Sequence, residues 1–127
     1  MLIDDSEMDN FINQNVIEAA RFAERIYTTT NGLSALEFLT NLLVNKETLP
    51  SMVPEIVFVD LNMPLMNGFQ FIKKFYELPK ELTANCKIVI LTSSLNPSDQ
   101  ETAQEINKDI VFLHKPLTTT SLTSIVS

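Results

Sequence analysis

Short runs of apolar residues alternate with longer amphipathic segments along the whole chain. The clearest run is Ile56–Val59, in which every position is apolar, as a strand buried on both faces of a parallel sheet requires. Asp60 follows this strand directly, and Pro64 stops the extended segment soon afterwards. Further runs predict strands at residues 1–3, 26–29, 88–91 and 110–113.

The segments between these strands place apolar residues three or four positions apart, which predicts amphipathic helices. The apolar face of the first helix comprises Phe11, Ile12, Val16, Ala19, Ala20 and Ala23, and that of the second comprises Leu33, Leu36, Leu39, Leu42 and Leu43. A third helix opens at Asn67-Gly68, a fourth begins near Pro97, and a short fifth lies within residues 117–126. Residues 45–54 and 78–87 are predicted loops.

Five strands that alternate with five helices indicate the α/β class, as a doubly wound parallel sheet with right-handed crossovers. The length of 127 residues suits one domain with a proper core. We therefore expect a single domain over residues 1–127, without an output domain.

Composition excludes several classes of function. The net charge is −7 and the nine basic residues are scattered, which argues against direct contact with nucleic acid. With only two glycines, the chain lacks a Gly-rich phosphate cradle. No apolar stretch approaches the ~20 residues that span a bilayer, and no export leader is evident. Because Cys86 is the single cysteine, no internal disulfide can form, and we expect a cytoplasmic protein without a membrane partner.

The residues that follow the predicted strands carry the candidate chemistry. Strand one leads to Asp4-Asp5, strand three to Asp60, strand four to Thr92 and strand five to Lys115. Because parallel strands end at one edge of a sheet, we expect three carboxylates, a hydroxyl and an ammonium group to meet there. Such carboxylates repel one another unless a cation joins them, and Mg²⁺ is the hard, oxygen-liganded cation that suits them.

This set of groups suits an incoming phosphoryl group, whose transfer depends mostly on positioning and on neutralising charge. Asp60 is the candidate nucleophile, because carboxylates can form aspartyl phosphates. Lys115 would supply a positive charge, and Thr92 a hydroxyl donor. Plainer interpretations exist: the aspartates could cap helices or turns, and Lys115 could simply be solvated.

Taken together, these motifs resemble the signature of two-component response-regulator receiver domains. The motifs are Asp4-Asp5, Asp60 within VDLNMPLMNG, Thr92 within ILTSS, and Lys115-Pro116. The long loops around Pro50 and Leu78 are similar to those of stand-alone receivers of the chemotaxis and phytochrome-associated type. The resemblance implies a flavodoxin-like sheet with the strand order 2-1-3-4-5.

The resemblance also implies a phosphoacceptor site. A sensor histidine kinase or a histidine phosphotransfer protein would transfer its phosphoryl group to Asp60. Mg²⁺ would be held by Asp5, Asp60 and the backbone carbonyl of Asn62, with Asp4 binding directly or through water. Receivers usually carry a cis peptide bond at the position of Lys115-Pro116.

A conformational switch is the third implication of the resemblance. Thr92 and Lys115 would contact the phosphoryl oxygens, and Phe112 falls where receivers carry a switch aromatic. Thr92 would move toward the phosphoryl group and Phe112 would turn inward. The face made by the fourth helix, fifth strand and fifth helix would then change shape for a downstream protein target.

Three other functions remain open at this point. A haloacid-dehalogenase-like phosphohydrolase also uses an aspartate nucleophile, but its motif needs a second acid where this chain has Asn62. A receiver that no longer accepts phosphate would be a pure interaction module, although no acid and no lysine of the signature is missing. A flavodoxin is disfavoured, because no Ser/Thr/Gly-rich phosphate loop follows the first strand.

Overall fold

The computed structural model describes residues 1–45 and 52–126, and within them it contains one five-stranded parallel sheet and six helices. The elements are β1 (Leu2–Ile3), α1 (Glu7–Ala19), β2 (Thr28–Thr29), α2 (Gly32–Val44), β3 (Ile56–Val59), α3 (Gly68–Tyr76), α4 (Lys80–Thr83), β4 (Lys87–Thr92), α5 (Pro97–Ile106), β5 (Val111–His114) and α6 (Thr119–Val126). The strand order is β2-β1-β3-β4-β5. This arrangement confirms the doubly wound, flavodoxin-like fold with the order 2-1-3-4-5.

The register of the strands aligns their carboxyl ends. Ile3 pairs with Val59, Val59 pairs with Ile90, and Thr92 pairs with His114. Because all the pairs are parallel, the residues that follow these strands emerge at one edge of the sheet. That edge is where the candidate functional residues lie.

Strand β1 is short but central. Backbone N–H groups of Leu2 and Asp4 donate to Tyr27 and Thr29 on one side, at 2.7 and 3.2 Å. On the other side, the N–H of Asp60 donates to the carbonyl of Ile3 at 3.0 Å. Hydrogen bonds on both sides therefore hold the start of the acidic pair in place.

The sheet separates two apolar layers, because successive residues of a strand face opposite sides. One layer contains Ile3, Val57 and Val59 packed with side chains of α2, α3 and α5, including Leu39, Phe71, Phe75 and Ala103. The other contains Leu2, Phe58, Val89 and Leu91 packed with Ile17, Leu122 and Ile125 of α1 and α6. Burial on both faces explains why β3 is apolar at every position.

The predicted apolar face of α1 is only partly right: Val16 and Ala20 pack against the core, but other predicted members do not. Phe11 and Ile12 are 65% and 44% exposed, whereas Asn10, Asn13 and Ile17 are buried. The helix ends at Ala19, so residue 23 lies outside it. The first turns of α1 pack on the polar end of β1, and amides rather than apolar side chains fill that space.

The predicted loops also differ from the structure in one place. Within residues 78–87, Lys80–Thr83 forms the one-turn helix α4, and it buries Leu82 against the core. Most of the predicted loop at 45–54 lies outside the described residues. In the described ranges, none of the helices combines the length and the apolar character that crossing a membrane requires.

Candidate functional site

Three aspartates meet at the carboxyl edge of the sheet. Asp4 follows β1, Asp60 follows β3, and one carboxylate oxygen from each of Asp4, Asp5 and Asp60 lies within 4.8 Å of the others. Asp4 and Asp60 are only 4% and 5% exposed, whereas Asp5 is exposed. The structure thus brings the predicted acidic residues into one cluster, with its open side at Asp5.

The carboxylate of Asp4 is well compensated. Its Oδ2 accepts a hydrogen bond from Lys115 Nζ at 2.7 Å, and its Oδ1 accepts one from the backbone N–H of Ser6 at 3.0 Å. The Ser6 hydroxyl in turn caps α1 by accepting from the N–H of Asp9 at 3.1 Å. Asp4 is therefore fixed by the strand before it, the helix after it and a cation.

The carboxylate of Asp60 is less well compensated. Lys115 Nζ lies 3.5 Å from its Oδ1, which is an ion-pair distance but a long one. Burial, together with the nearby charge of Asp4, raises the pKa of Asp60 from 3.8 to about 6, although Lys115 acts in the opposite direction. A buried carboxylate with few partners is one that gains from a ligand that brings positive charge.

Gly68 allows α3 to approach the backbone of Asp60. A Cβ atom at Gly68 would lie 2.5 Å from the carbonyl oxygen of Asp60 and 2.8 Å from Cα of Leu61. Asn67 caps this helix in a capping box with Gln70, which the predicted start at Asn67-Gly68 anticipates. The absence of a side chain at residue 68 is thus a requirement of the site's backbone.

Lys115 is the cation of the cluster. Its ammonium group bonds Asp4 at 2.7 Å and Asp9 at 2.8 Å, and the peptide bond to Pro116 is cis, as the resemblance implies. Burial alone would lower the pKa of Lys115, but the hydrogen bonds to Asp4 and Asp9 outweigh it and leave the pKa above its usual value. Lys115 is therefore positively charged throughout the physiological pH range.

Two residues that sequence reasoning missed belong to this site. Asp9 pairs with Lys115, and the Nδ2 group of Asn10 donates to the backbone carbonyls of Asp4 and Thr29, both at 3.1 Å. Asp9 stands three residues after the Ser6 cap, where an acid normally serves the start of a helix. For Asn10, the available signal was a polar amide within a helix whose inner side otherwise supplies residues to the core.

Thr92 lies at the end of β4 and is fully buried. Its Oγ1 accepts a hydrogen bond from the N–H of Ser94 at 3.1 Å, and the hydroxyl of Ser94 donates to Oδ2 of Asp99 at 2.6 Å. The backbone N–H of Lys115 donates to the carbonyl of Thr92 at 2.8 Å. The hydroxyl of Thr92 is thus tied to the loop that leads into α5.

The remaining predicted residues lie around this cluster. Phe112 is partly buried against the core and meets the ring of His114 edge-on, with 5.5 Å between centroids. His114 itself is exposed. Asn62 lies two residues after Asp60 and is exposed.

The donor set fits a hard divalent cation. Asp4, Asp5 and Asp60 each offer a carboxylate oxygen, which is the ligand that Mg²⁺ takes from proteins. The exposure of Asp5 gives a cation and its waters access from solvent. A cation would also relieve the repulsion between the buried charges of Asp4 and Asp60.

Comparisons with known proteins agree with this geometry. The family model described as the response regulator receiver domain matches residues 1–127. The crystal structure of a two-component response regulator from Cytophaga hutchinsonii is 30% identical, has a TM-score of 0.85, and is aligned over 98% of this chain and 90% of that one. The Mn²⁺-bound form of response regulator Rcp1 has a TM-score of 0.72 at 24% identity over 98% of this chain and 86% of its own, which shows the fold alone.

A curated relative matches part of the chain. The response regulator protein GraR of Staphylococcus aureus (strain JH9) is 34% identical over 76 residues, which are 60% of this chain and 31% of GraR. The match thus covers less than a third of that relative. With a family model that matches from residue 1 to residue 127, the chain belongs to the response-regulator receiver family, whose members are signalling phosphoacceptors.

Proposed function

We propose that this protein accepts a phosphoryl group on Asp60 from the phosphohistidine of a sensor histidine kinase or a histidine phosphotransfer protein. The observation that carries the proposal is the state of Asp60: a carboxylate 5% exposed, held on a rigid strand end, with one cation 3.5 Å away. A nucleophile needs this combination of fixed position and incomplete compensation.

The transfer itself is a displacement at phosphorus. A carboxylate oxygen of Asp60 forms the new P–O bond while the bond from phosphorus to the imidazole nitrogen breaks, and its electron pair stays on the ring. Lys115, already beside Asp4 and Asp60, neutralises the phosphoryl charge as it arrives. The product is an acyl phosphate on Asp60, and the protein is a phosphoacceptor that catalyses only its own phosphorylation and dephosphorylation.

Magnesium completes the proposed site. Asp4, Asp5 and Asp60, with the backbone carbonyl of Asn62, would hold Mg²⁺, which supplies charge neutralisation for the phosphoryl oxygens. The structural neighbour Rcp1 is known in a Mn²⁺-bound form, which is compatible with a divalent cation as a ligand of this protein.

We assign the switch to Thr92 and Phe112. A shift of the Thr92 hydroxyl toward a phosphoryl oxygen would draw it away from the N–H of Ser94 and rearrange the loop that Ser94 and Asp99 hold together. Phe112 is only partly buried, so an inward rotation would change the surface formed by α5, β5 and α6. That surface would signal to a downstream protein target.

The setting of this activity is part of the same proposal. Residues 1–127 form one receiver domain that acts through protein contacts in the cytoplasm. The net charge of −7 supports partners other than nucleic acid, and no membrane partner is invoked.

The test is phosphorylation by a small donor. The protein is incubated with acetyl phosphate and Mg²⁺, and intact mass is measured. We expect the addition of one phosphoryl group, which is lost in Asp60→Asn and in EDTA but retained in Asp109→Asn, a matched change at an exposed aspartate. A folded wild-type protein that gains no mass under these conditions would leave a pure interaction module as the better description.

A further inference from the structure

Two asparagines of α1 face the sheet just below the acidic cluster. Asn10 and Asn13 are 5% and 4% exposed, and they lie one turn apart on the side of the helix that packs on β1. Burying an amide is costly unless its polar atoms find hydrogen-bond partners. The position of both amides beneath the phosphoacceptor raises the question of what satisfies them.

One amide oxygen of this pair accepts no hydrogen bond from the described residues. The Nδ2 group of Asn10 donates to the carbonyls of Asp4 and Thr29, both at 3.1 Å, and two carbonyl partners fix which way the amide points. Its Oδ1 is fully buried, and within residues 1–45 and 52–126 no donor reaches it. A carbonyl-type oxygen in this state requires a donor of hydrogen bonds.

A small cavity lies at the same place. Its volume is about 10 Å³, and its polar lining consists of Asn10, Asn13, Asp4 and Asp60, with side chains of β1, β3 and β4 as the apolar remainder. A space of this size holds about one water molecule, and a water is stable in it when two to four polar groups surround it. The cavity is thus both large enough and polar enough for one molecule.

We propose that Asn10 and Asn13 hold one internal water molecule against the inner side of Asp4 and Asp60. The water would donate one hydrogen to Oδ1 of Asn10 and the other to a carboxylate oxygen of Asp60, and it would accept from the amide of Asn13. With the phosphoacceptor role of Asp60 taken from the proposed function, Asn10 and Asn13 are positioning residues for the nucleophile.

The value of such a water follows from how loosely Asp60 is held. In the part of the chain that the structure describes, its one ion pair is with Lys115, at 3.5 Å. A donor on the inner side would fix the rotation of the carboxylate, so that the other oxygen faces the phosphoryl donor and the metal. Removing an outer partner of a metal-binding group typically costs about 10–100-fold in metal affinity or activity.

The first test needs neither phosphate nor metal. In the metal-free wild-type protein, water-to-amide cross-relaxation in NMR should reveal a water that stays bound for longer than the molecular tumbling time, close to the amides of Asn10 and Asp60. If no such water is found in the folded wild-type protein, the proposal is overturned. Failure of phosphorylation would not affect this result, so the two proposals are tested separately.

The second test removes the polar lining without changing its shape. Leucine has the branched shape of asparagine, so Asn13→Leu should expel the water and reduce the rate of phosphorylation by acetyl phosphate by about tenfold at saturating Mg²⁺. Asn15→Leu, at an exposed position of the same helix, should leave both the water and the rate unchanged. An unchanged rate in Asn13→Leu protein that has lost the water would overturn the positioning role.

Discussion

The two buried aspartates at the ends of β1 and β3 stand in contrast, although they share an edge, a cation and nearly the same exposure. Asp4 accepts short hydrogen bonds from Lys115 and from the N–H of Ser6. Among the described residues, Asp60 has only the 3.5 Å ion pair with Lys115, and its pKa is raised to about 6. Asp4 is therefore part of the framework, whereas Asp60 keeps unused capacity for a ligand.

The contrast indicates how one sheet edge can separate two roles. The ammonium group of Lys115 compensates the charge of both carboxylates, but its shorter bonds are to Asp4 and Asp9. Position alone therefore does not identify the nucleophile, since both aspartates follow parallel strands. The distribution of partners is what favours Asp60 as the proposed nucleophile. Changes to those partners should affect the two aspartates differently.

Removing the shared cation should have the largest effect on stability. Lys115→Met leaves Asp4 and Asp60 buried without their positive partner, and breaking a buried ion pair typically costs about 3–5 kcal/mol. Urea unfolding should report a loss of unfolding free energy of about 3 kcal/mol, the lower end of that range, because Asp9 is partly exposed. Lys108→Met, at an exposed lysine, should change stability little.

Magnesium should restore part of that loss. A cation that binds only the folded state stabilises it by mass action, and the variant has more uncompensated negative charge than the wild type. The gain in the unfolding free energy from adding Mg²⁺ should thus be larger for Lys115→Met than for the wild type. Equal gains in both proteins would mean that the cation does not bind at this cluster.

Adding a methyl group beside Asp60 should have the next largest effect. Gly68→Ala places Cβ 2.5 Å from the carbonyl oxygen of Asp60, so the backbone must move, and overpacking of this kind costs about 1–3 kcal/mol. The midpoint temperature of thermal unfolding and the rate of phosphorylation should both fall. Gly32→Ala is the matched control, because its new Cβ meets the flexible end of Met66 at 2.9 Å and should cost less.

Neutralising the two aspartates should change stability in opposite directions. The folded-state pKa of Asp60 is raised from 3.8 to about 6, so its contribution to stability is present below pH 3.8 and is lost as the pH rises through 6. Near pH 8, the unfolding free energy of Asp60→Asn should therefore exceed that of the metal-free wild type by about 1–3 kcal/mol. This advantage should shrink as the pH falls through 6 toward 3.8. Denaturant unfolding of the variant and of the wild type, measured as a function of pH, gives this difference.

Asp4→Asn should behave in the opposite way. The substitution weakens charge-assisted hydrogen bonds from Lys115 and Ser6, each of which contributes about 1.5–3 kcal/mol. Near pH 8, it should lower the free energy of unfolding. If Asp4→Asn and Asp60→Asn were stabilised equally, the claim that the charge of Asp4 is better compensated than that of Asp60 would be refuted.

The smallest expected effect concerns the loop that leaves Asp60. Leu65 has a φ of 68° and is 93% exposed, and this left-handed conformation costs a non-glycine residue about 1–2 kcal/mol. Leu65→Gly removes that cost but adds backbone freedom to the unfolded chain. A net gain below about 1 kcal/mol is expected, with no change in phosphorylation, and a clear loss of stability would indicate that the Leu65 side chain contributes more than the strain costs.

The sequence predicted the sheet and its polar edge well, for a physical reason. Parallel strands buried on both faces are continuous apolar runs, and the residue after each run must emerge at the same edge. Asp4, Asp60 and Lys115 could therefore be placed together without coordinates. The one-turn helix at Lys80–Thr83 was missed, because a four-residue segment is too short to show the apolar periodicity of a helix.

The inner face of α1 could not be predicted in the same way. Its periodic apolar residues include Phe11 and Ile12, which the structure leaves exposed, while Asn10 and Asn13 face the sheet. Tertiary packing decided the orientation, because the ends of β1 and β2 offer the carbonyl groups of Asp4 and Thr29, which Asn10 can bond and an apolar side chain cannot. Polar residues on the buried side of a helix are thus a signal of a site rather than an error in the pattern.

The most direct test of the account is to locate the phosphoryl group. After phosphorylation by acetyl phosphate in Mg²⁺, reduction with borohydride converts an aspartyl phosphate to homoserine, and peptide mass spectrometry identifies its position. The account predicts homoserine at position 60 and none at positions 4, 5 or 9. Homoserine at any of those three positions, or an unchanged yield in Asp60→Asn protein, would contradict the assignment of Asp60 as the under-compensated nucleophile.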